Sequence, residues 1–311
     1  MAKPRSFPPD HKPFAELPVQ LVTVGPASEQ MAVHVDGILA GGKVALVCLA
    51  GYQRNMTDYA PFVRQLRQAG EAAPVVLIDL KGRGRSTDRA QRAEYGSPRD
   101  AEDVAEILRA LAIERAIFVG QGYGGQVLMA LAATHPARMA GTVLIDSGPV
   151  VDTRGLVRLR NTLEDLEGVR SAQGLRAMLR RMNAADYPGL GEEELDALAL
   201  RTHFIDKRNR AIRLFDTGLV RMLDGFDFDD VFTAQWPLFD ALSHAPLLMM
   251  RTQLTQQLRR ETFDEMMRRR RDSEAYVIEG QGSPALLNNS DDVQPIAEFV
   301  RKVLRPKKAA A

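Results

Sequence analysis

The chain has one cysteine, Cys48, among 311 residues. An intrachain disulfide is therefore impossible, and the chain suits a reducing compartment. No apolar run approaches the ~18 residues that a membrane-spanning helix needs. The segment Met1 to Pro18 is proline-rich and polar; it lacks the apolar core of a secretory signal. A cytoplasmic protein is the expectation. Charge of one sign is not in excess: the formal net charge is +1. This gives no global electrostatic argument for nucleic acid or an anionic membrane as a partner. No His/Cys/Asp/Glu group has metal-ligand spacing, and no phosphate loop or strand-linked dinucleotide fingerprint occurs. Gly82-Arg83-Gly84 alone is not one. No metal and no cofactor are expected.

What is present is ordinary for a globular protein: 45% hydrophobic and 26% charged residues. The length suits one large α/β domain with an insertion, or two small domains. Residues 1–15 read as a flexible arm. Pro18 to Val24 and Met31 to Asp36 are β-prone runs around Gly25-Pro26, the pattern of an antiparallel hairpin at a sheet edge. The apolar runs Val44 to Leu49, Pro74 to Leu80, Ala116 to Val119 and Gly141 to Asp146 read as strands buried on both faces. Helical periodicity separates them, at Asp58 to Gln68, Asp100 to Leu111 and Gln126 to Thr134. Between 150 and 240 the pattern changes to Arg, Leu, Met and Asp at helical spacing with no clear buried strand. Strand character returns at Pro246 to Met250 and Ala275 to Ile278, followed by a helix from Val293 to Leu304. Such alternation predicts a mostly parallel sheet covered on both faces. An insertion after Asp146 can lie over the carboxyl ends of the strands, where ligands bind in open α/β sheets.

The stretch Val119-Gly120-Gln121-Gly122-Tyr123-Gly124-Gly125 lies where a strand must turn sharply into a helix. Gly120 and Gly124 fit a turn that packs strand and helix too closely for a Cβ. This is the setting of the G-x-S-x-G nucleophile elbow, with Gly122 where serine would stand. Three further segments accompany it: Ala50-Gly51-Tyr52-Gln53-Arg54-Asn55 with Asp58, then Asp79-Leu80-Lys81-Gly82-Arg83-Gly84-Arg85-Ser86, and Ile145-Asp146-Ser147-Gly148-Pro149. In this order the four resemble the α/β-hydrolase family, small esterases and enol-lactonases of bacterial type, from about Pro18 to Leu304. The resemblance implies an α/β-hydrolase fold: a mostly parallel central sheet, helices on both faces, and a helical cap insertion. The core would be 16–149 with 241–305, the cap 150–240, and 306–311 a tail.

Family chemistry uses a Ser nucleophile, an acid and a His. Carried over by position, the resemblance puts Gly122 at the nucleophile, Gln256 at the acid in Arg251-Thr252-Gln253-Leu254-Thr255-Gln256, and Ser283 at the histidine in Gly280-Gln281-Gly282-Ser283-Pro284. All three are substituted. Glycine has no nucleophile, glutamine no charge, and serine no usable basicity at neutral pH. Losing the serine or the whole triad costs about 10⁶-fold in turnover and leaves roughly 10³–10⁴ over water. The resemblance also implies two oxyanion-hole amides, those of Tyr52 and Tyr123, the second opening a helix whose N-terminus favours negative charge.

Replacement catalysts are scarce. Cys48 reads as a small core residue. His11, His34, His135 and His244 fall away from the elbow, while His203 could enter the cleft. Asp146 could act as an alternative acid, or simply hold the loop that begins at Ser147. Asp79 and Ser86 read as turn-forming, and Arg268 to Arg271 as a solvated helix end. The expectation is a degenerate hydrolase-fold protein binding a small carbonyl- or carboxylate-bearing ligand at Gly51, Tyr52, Gly122, Tyr123 and Ser283. Two alternatives stand beside it. One is an active hydrolase or lyase using the retained amides with a non-standard acid or base. The other is a partner-binding scaffold whose pocket is filled.

Overall fold

The computed structural model describes residues 11–25, 29–40, 42–91, 94–169, 171–227, 229–230 and 232–305. Its centre is an eight-stranded sheet. The hairpin read at the edge is β1 (Gln20–Thr23) against β2 (Gln30–Asp36). The other strands are β3 (Ala45–Leu49), β4 (Val75–Ile78), β5 (Ala116–Gln121), β6 (Met139–Ile145), β9 (Leu247–Thr252) and β10 (Glu274–Ile278), in the order β1-β2-β4-β3-β5-β6-β9-β10. From β4 onward every pairing is parallel; β2 meets β4 antiparallel.

The apolar runs form central strands because a parallel sheet buries both faces. Every residue of β3, β5 and β6 is buried. Alternate residues of β3 serve two cores: Ala45, Val47 and Leu49 face one, Leu46 and Cys48 the other. The first core is covered by α2 (Ser97–Ala110) and α3 (Tyr123–Thr134), through Val104, Leu108, Val127 and Leu131. The second is covered by α1 (Ala60–Gln68) and α10 (Ser290–Leu304), through Phe62, Leu66, Ile296 and Phe299.

The register sets the site. Leu49 pairs with Gly120, and Gln121 with Ile145, so β3, β5 and β6 end flush. The chain leaves β3 toward one face and β5 toward the other, which makes their junction a topological switch point. Gly51, Gly122 and Asp146 therefore emerge side by side along one edge.

Between β6 and β9 lie α4 (Thr153–Gly168), α5 (Ala172–Asn183), α6 (Glu192–Ala199), α7 (Thr217–Arg221) and α8 (Trp236–Asp240). The purely helical reading of this segment missed an antiparallel pair, β7 (His203–Ile205) with β8 (Ala211–Arg213). Three-residue strands carry too little periodicity to be seen. Leu163, Leu175, Leu179, Phe215, Leu219 and Leu223 give the segment its own apolar cluster. It is tied to the sheet at the 82–84 turn: Gly84 N donates to Leu214 O at 2.8 Å and Asp216 N to Gly82 O at 2.8 Å. Helix α8 belongs elsewhere, since Phe239 packs in the first core. Helix α9 (Arg260–Arg269) precedes β10.

Of the arm read over 1–15, residues 1–10 lie outside the described residues. The remainder is packed rather than loose. Phe14 is buried under the Arg85 guanidinium, 4.3 Å from its ring centroid, and His11 Nε2 bonds Leu200 O at 3.0 Å. The tail 306–311 also lies outside the described residues. Among the described residues no helix is long and apolar enough to cross a membrane.

Candidate functional site

The elbow is built as the glycine spacing requires. A Cβ on Gly124 would lie 2.2 Å from Leu49 O, so strand β3 and helix α3 meet at a distance only glycine permits. Gly122 has φ 50° and ψ −115°, a conformation that glycine adopts without strain. Its N–H donates to Ile145 O at 2.8 Å. Apart from its chain neighbours, a Cβ at Gly122 would meet, among the described residues, only the side chain of Gln257 within 4 Å, its carboxamide oxygen 2.6 Å away. Among the described residues no imidazole, carboxylate or hydroxyl comes within that radius.

The amides of Tyr52 and Tyr123 have no hydrogen-bond partner among the described residues. The two rings meet edge to face at 5.2 Å. Tyr52 Oη donates to Leu219 O in α7 at 2.9 Å, and Tyr123 Oη to Asp100 Oδ2 at 2.8 Å. Burial pushes the Tyr52 phenol up to about 12 and the Tyr123 phenol well above its usual range, so neither is a tyrosinate at neutral pH. Both rings pack on Arg83, whose guanidinium carbon is 5.6 Å from Tyr52, 5.1 Å from Tyr123 and 5.5 Å from Tyr95. Arg83 is fully buried. It belongs to a charge-balanced network in which Lys81, Arg83 and Arg89 face Glu29, Asp100 and Asp103. The floor of the elbow is thus polar and ion-paired.

Asp146 is the carboxylate of the site. It stands at φ 49°, one residue beyond β6, and is buried. Its Oδ1 accepts from Thr252 N at 2.8 Å and its Oδ2 from Thr252 Oγ1 at 2.7 Å. Ser283 Oγ also donates to Oδ2, and it lies 2.9 Å from Thr255 Oγ1. Asp146 therefore holds the ends of β9 and the 280–284 loop instead of the loop that begins at Ser147. Burial raises its carboxyl above the usual range against the pull of those hydrogen bonds. The insertion adds Asp186, whose backbone oxygen accepts from Gly282 N at 2.6 Å. Burial and the neighbouring Asp146 charge push the Asp186 carboxyl up as well.

The structure thus places Ser283 against Asp146, and Gly122 beneath Gln257. Gln256 is exposed and its side chain makes no hydrogen bond among the described residues; its neighbours Thr255 and Gln257 point to Ser283 and Gly122 respectively. Gly51 lies beside the elbow, a Cβ there falling 4.0 Å from Gln121 O. Sequence reasoning missed Thr252, Thr255 and Gln257. A Gln256-Gln257 pair offers no sign of which side chain turns inward.

None of the five histidines reaches the elbow. His34 bonds Pro18 O, His135 bonds Thr134, and His244 is exposed. His203 is buried under the insertion; burial, then the Arg213 and Arg54 charges, lower its pKa to about 3. It faces an enclosed space of about 60 Å³ shared with Gln53, Arg54 and Asn183. A larger cleft of about 320 Å³ lies beyond Gln257, between the start of α4 and the loop before α9. Cys48 is buried and its thiol is pushed up by burial. No group of three potential metal ligands occurs among the described residues.

A family model described as "Alpha/beta hydrolase family" matches residues 46–301. An esterase of Mycobacterium tuberculosis is 26% identical over 299 residues, covering 94% of each chain. RutD of Caulobacter segnis, named for carbamate hydrolysis, is 30% identical over 113 residues, 36% of this chain and 41% of its own. The chain thus spans about two fifths of the length of the RutD relatives it matches. Among solved structures, an α/β hydrolase from Novosphingobium aromaticivorans superimposes with a TM-score of 0.80 at 23% identity, covering 92% of this chain and 99% of that one. E-2-(acetamidomethylene)succinate hydrolase does so with a TM-score of 0.72 at 19% identity, covering 92% and 99%.

Proposed function

The chain belongs to the α/β hydrolase family, and from that premise we propose that it has given up triad hydrolysis and binds a small carbonyl-bearing molecule at the elbow. One observation carries the reading. Around Gly122 the frame of the site is intact: among the described residues the Tyr52 and Tyr123 amides are unpartnered, and, chain neighbours aside, the one group within 4 Å of a Cβ there is a neutral carboxamide. Two unpartnered donors, that of Tyr123 at a helix N-terminus, suit a carbonyl oxygen. A carboxylate ligand fits less well, because Asp146 and Asp186 already crowd the same edge. The related esterase of Mycobacterium tuberculosis and the RutD proteins are named for substrates that carry a carbonyl ester or carbamate group, which agrees with an inherited preference.

Nucleophilic hydrolysis needs a nucleophile within hydrogen-bond reach of a base. Ser283 has a hydroxyl bonded to the Asp146 carboxylate, but no atom of it comes within 4 Å of a Cβ at Gly122, so it does not stand at the elbow. A second reading, a scaffold for a protein partner, is favoured by one observation: the enclosed space under the insertion is only about 60 Å³. Ligand sites usually offer about 300–1,000 Å³. The test is ligand-observed NMR with esters, lactones, amides and carboxylates, following both binding and consumption in one sample. Saturation transfer to neutral carbonyl compounds without consumption is expected. Steady consumption would overturn the non-hydrolytic reading, and absence of binding across the panel would favour the scaffold.

A further inference from the structure

Gln257 belongs to two places at once. Its carboxamide oxygen lies over Gly122, and its side chain also walls the cleft of about 320 Å³. That volume falls at the lower end of small-molecule sites. The backbone beneath is fixed, since Gln257 N donates to Thr255 Oγ1 at 3.1 Å, and Thr255 is tied through Ser283 to Asp146. The side chain itself is exposed and makes no hydrogen bond among the described residues. It is therefore a tethered group that can swing without breaking a bond. The cleft carries three carboxylates, Asp152, Asp229 and Asp230, against two guanidiniums, Arg154 and Arg259, and Asp152 is already paired with Arg259 at 2.7 Å. Such a lining does not favour an anion.

Resting on the carbonyl-binding reading above, we infer that this cleft is the binding site, that its ligand is a neutral carboxamide or carbamate, and that Gln257 is the resident stand-in which the ligand displaces. The ligand's carbonyl takes the place of the Gln257 carboxamide over Gly122, and its remaining atoms lie along Val150 and Phe232. An internal competitor lowers apparent affinity by the fraction of molecules in which it is withdrawn. Removing it raises affinity without adding any contact.

Benzamide and benzoate are the probes, titrated by calorimetry into the wild type and Gln257→Ala. Benzamide is expected to bind Gln257→Ala at least about twofold tighter than the wild type, and benzoate to bind neither. In the wild type, benzamide should also shift the Gln257 side-chain amide resonance, identified by its loss in the variant. Equal affinity of both proteins for benzamide would remove Gln257 from its role while leaving carbonyl binding in place. Preference for benzoate, or no benzamide binding to either protein, would overturn the ligand class. Consumption of an ester by the wild type would instead sink the non-hydrolytic reading on which the inference stands.

Discussion

Restoring hydrolysis tests which carboxylate survived. If Asp146 is the inherited acid, then Gly122→Ser with Ser283→His rebuilds a triad and Gln256→Asp is superfluous. The structure sets the terms. Ser283 Oγ already bonds Asp146 Oδ2, so an imidazole introduced there has an orienting carboxylate in reach. Gln256 is exposed and offers no such contact. Two costs attend the change. A serine must accept φ 50° at position 122, a strain of about 1–3 kcal/mol. The Gln257 oxygen, 2.6 Å from its Cβ, must also move, so Gln257→Ala is included throughout. A triad is worth about 10⁶ in turnover, and replacing its acid by asparagine removes about 10⁴. p-Nitrophenyl acetate turnover should therefore rise at least 10³-fold in the restored protein. Adding Gln256→Asp should change it by less than threefold, and adding Asp146→Asn should return it to within tenfold of background. A restored protein that needs Gln256→Asp and tolerates Asp146→Asn would refute the assignment of Asp146.

Three further outcomes follow from the packing. Gly124→Ala puts a methyl 2.2 Å from the Leu49 carbonyl, so it should cost more than about 3 kcal/mol or leave the protein insoluble, read by urea unfolding. Arg83→Met leaves Asp100 with one guanidinium fewer inside a buried network and should cost about 3–5 kcal/mol in the same assay. An Arg83→Met protein as stable as the wild type would show that Arg83 adds no net stability through the network. His203 is held neutral in the folded protein, with a pKa of about 3 against the ordinary 6.5. The unfolded chain takes the proton first as pH falls. Stability is therefore full above about pH 6.5 and drops by up to about 1.4 kcal/mol per unit below it, until the folded form also protonates. His203→Phe should flatten that slope. The His203 imidazole resonance, identified by its loss in His203→Phe, titrating near pH 6.5 would contradict the burial argument.

Much of the fold was legible because buried parallel strands announce themselves as unbroken apolar runs, as at Val44 to Leu49 and Gly141 to Asp146. The elbow was legible because close packing of strand and helix demands glycine at fixed intervals. What failed to show was anything set by register between distant strands. Asp146 meets Ser283 only because β6 stops two residues short of the ends of β9 and β10, and no local pattern connects those residues. Gln257 rather than Gln256 faces the elbow because the turn after β9 is pinned by Thr255 N to Thr252 O and by Thr255 Oγ1. The arm looked loose because proline-rich segments lack periodicity, yet His11 and Phe14 are buried. The pair β7–β8 was hidden by its brevity and by the arginines around it.

The proposed reading is that the frame of a nucleophilic site persists without its nucleophile or its base. Pre-steady-state mixing of the wild-type protein with p-nitrophenyl acetate tests it most directly. No burst of p-nitrophenol is expected, and no acyl group on the intact protein by mass spectrometry. A burst stoichiometric with protein, with the acyl group on a side chain lining the cleft, would contradict it.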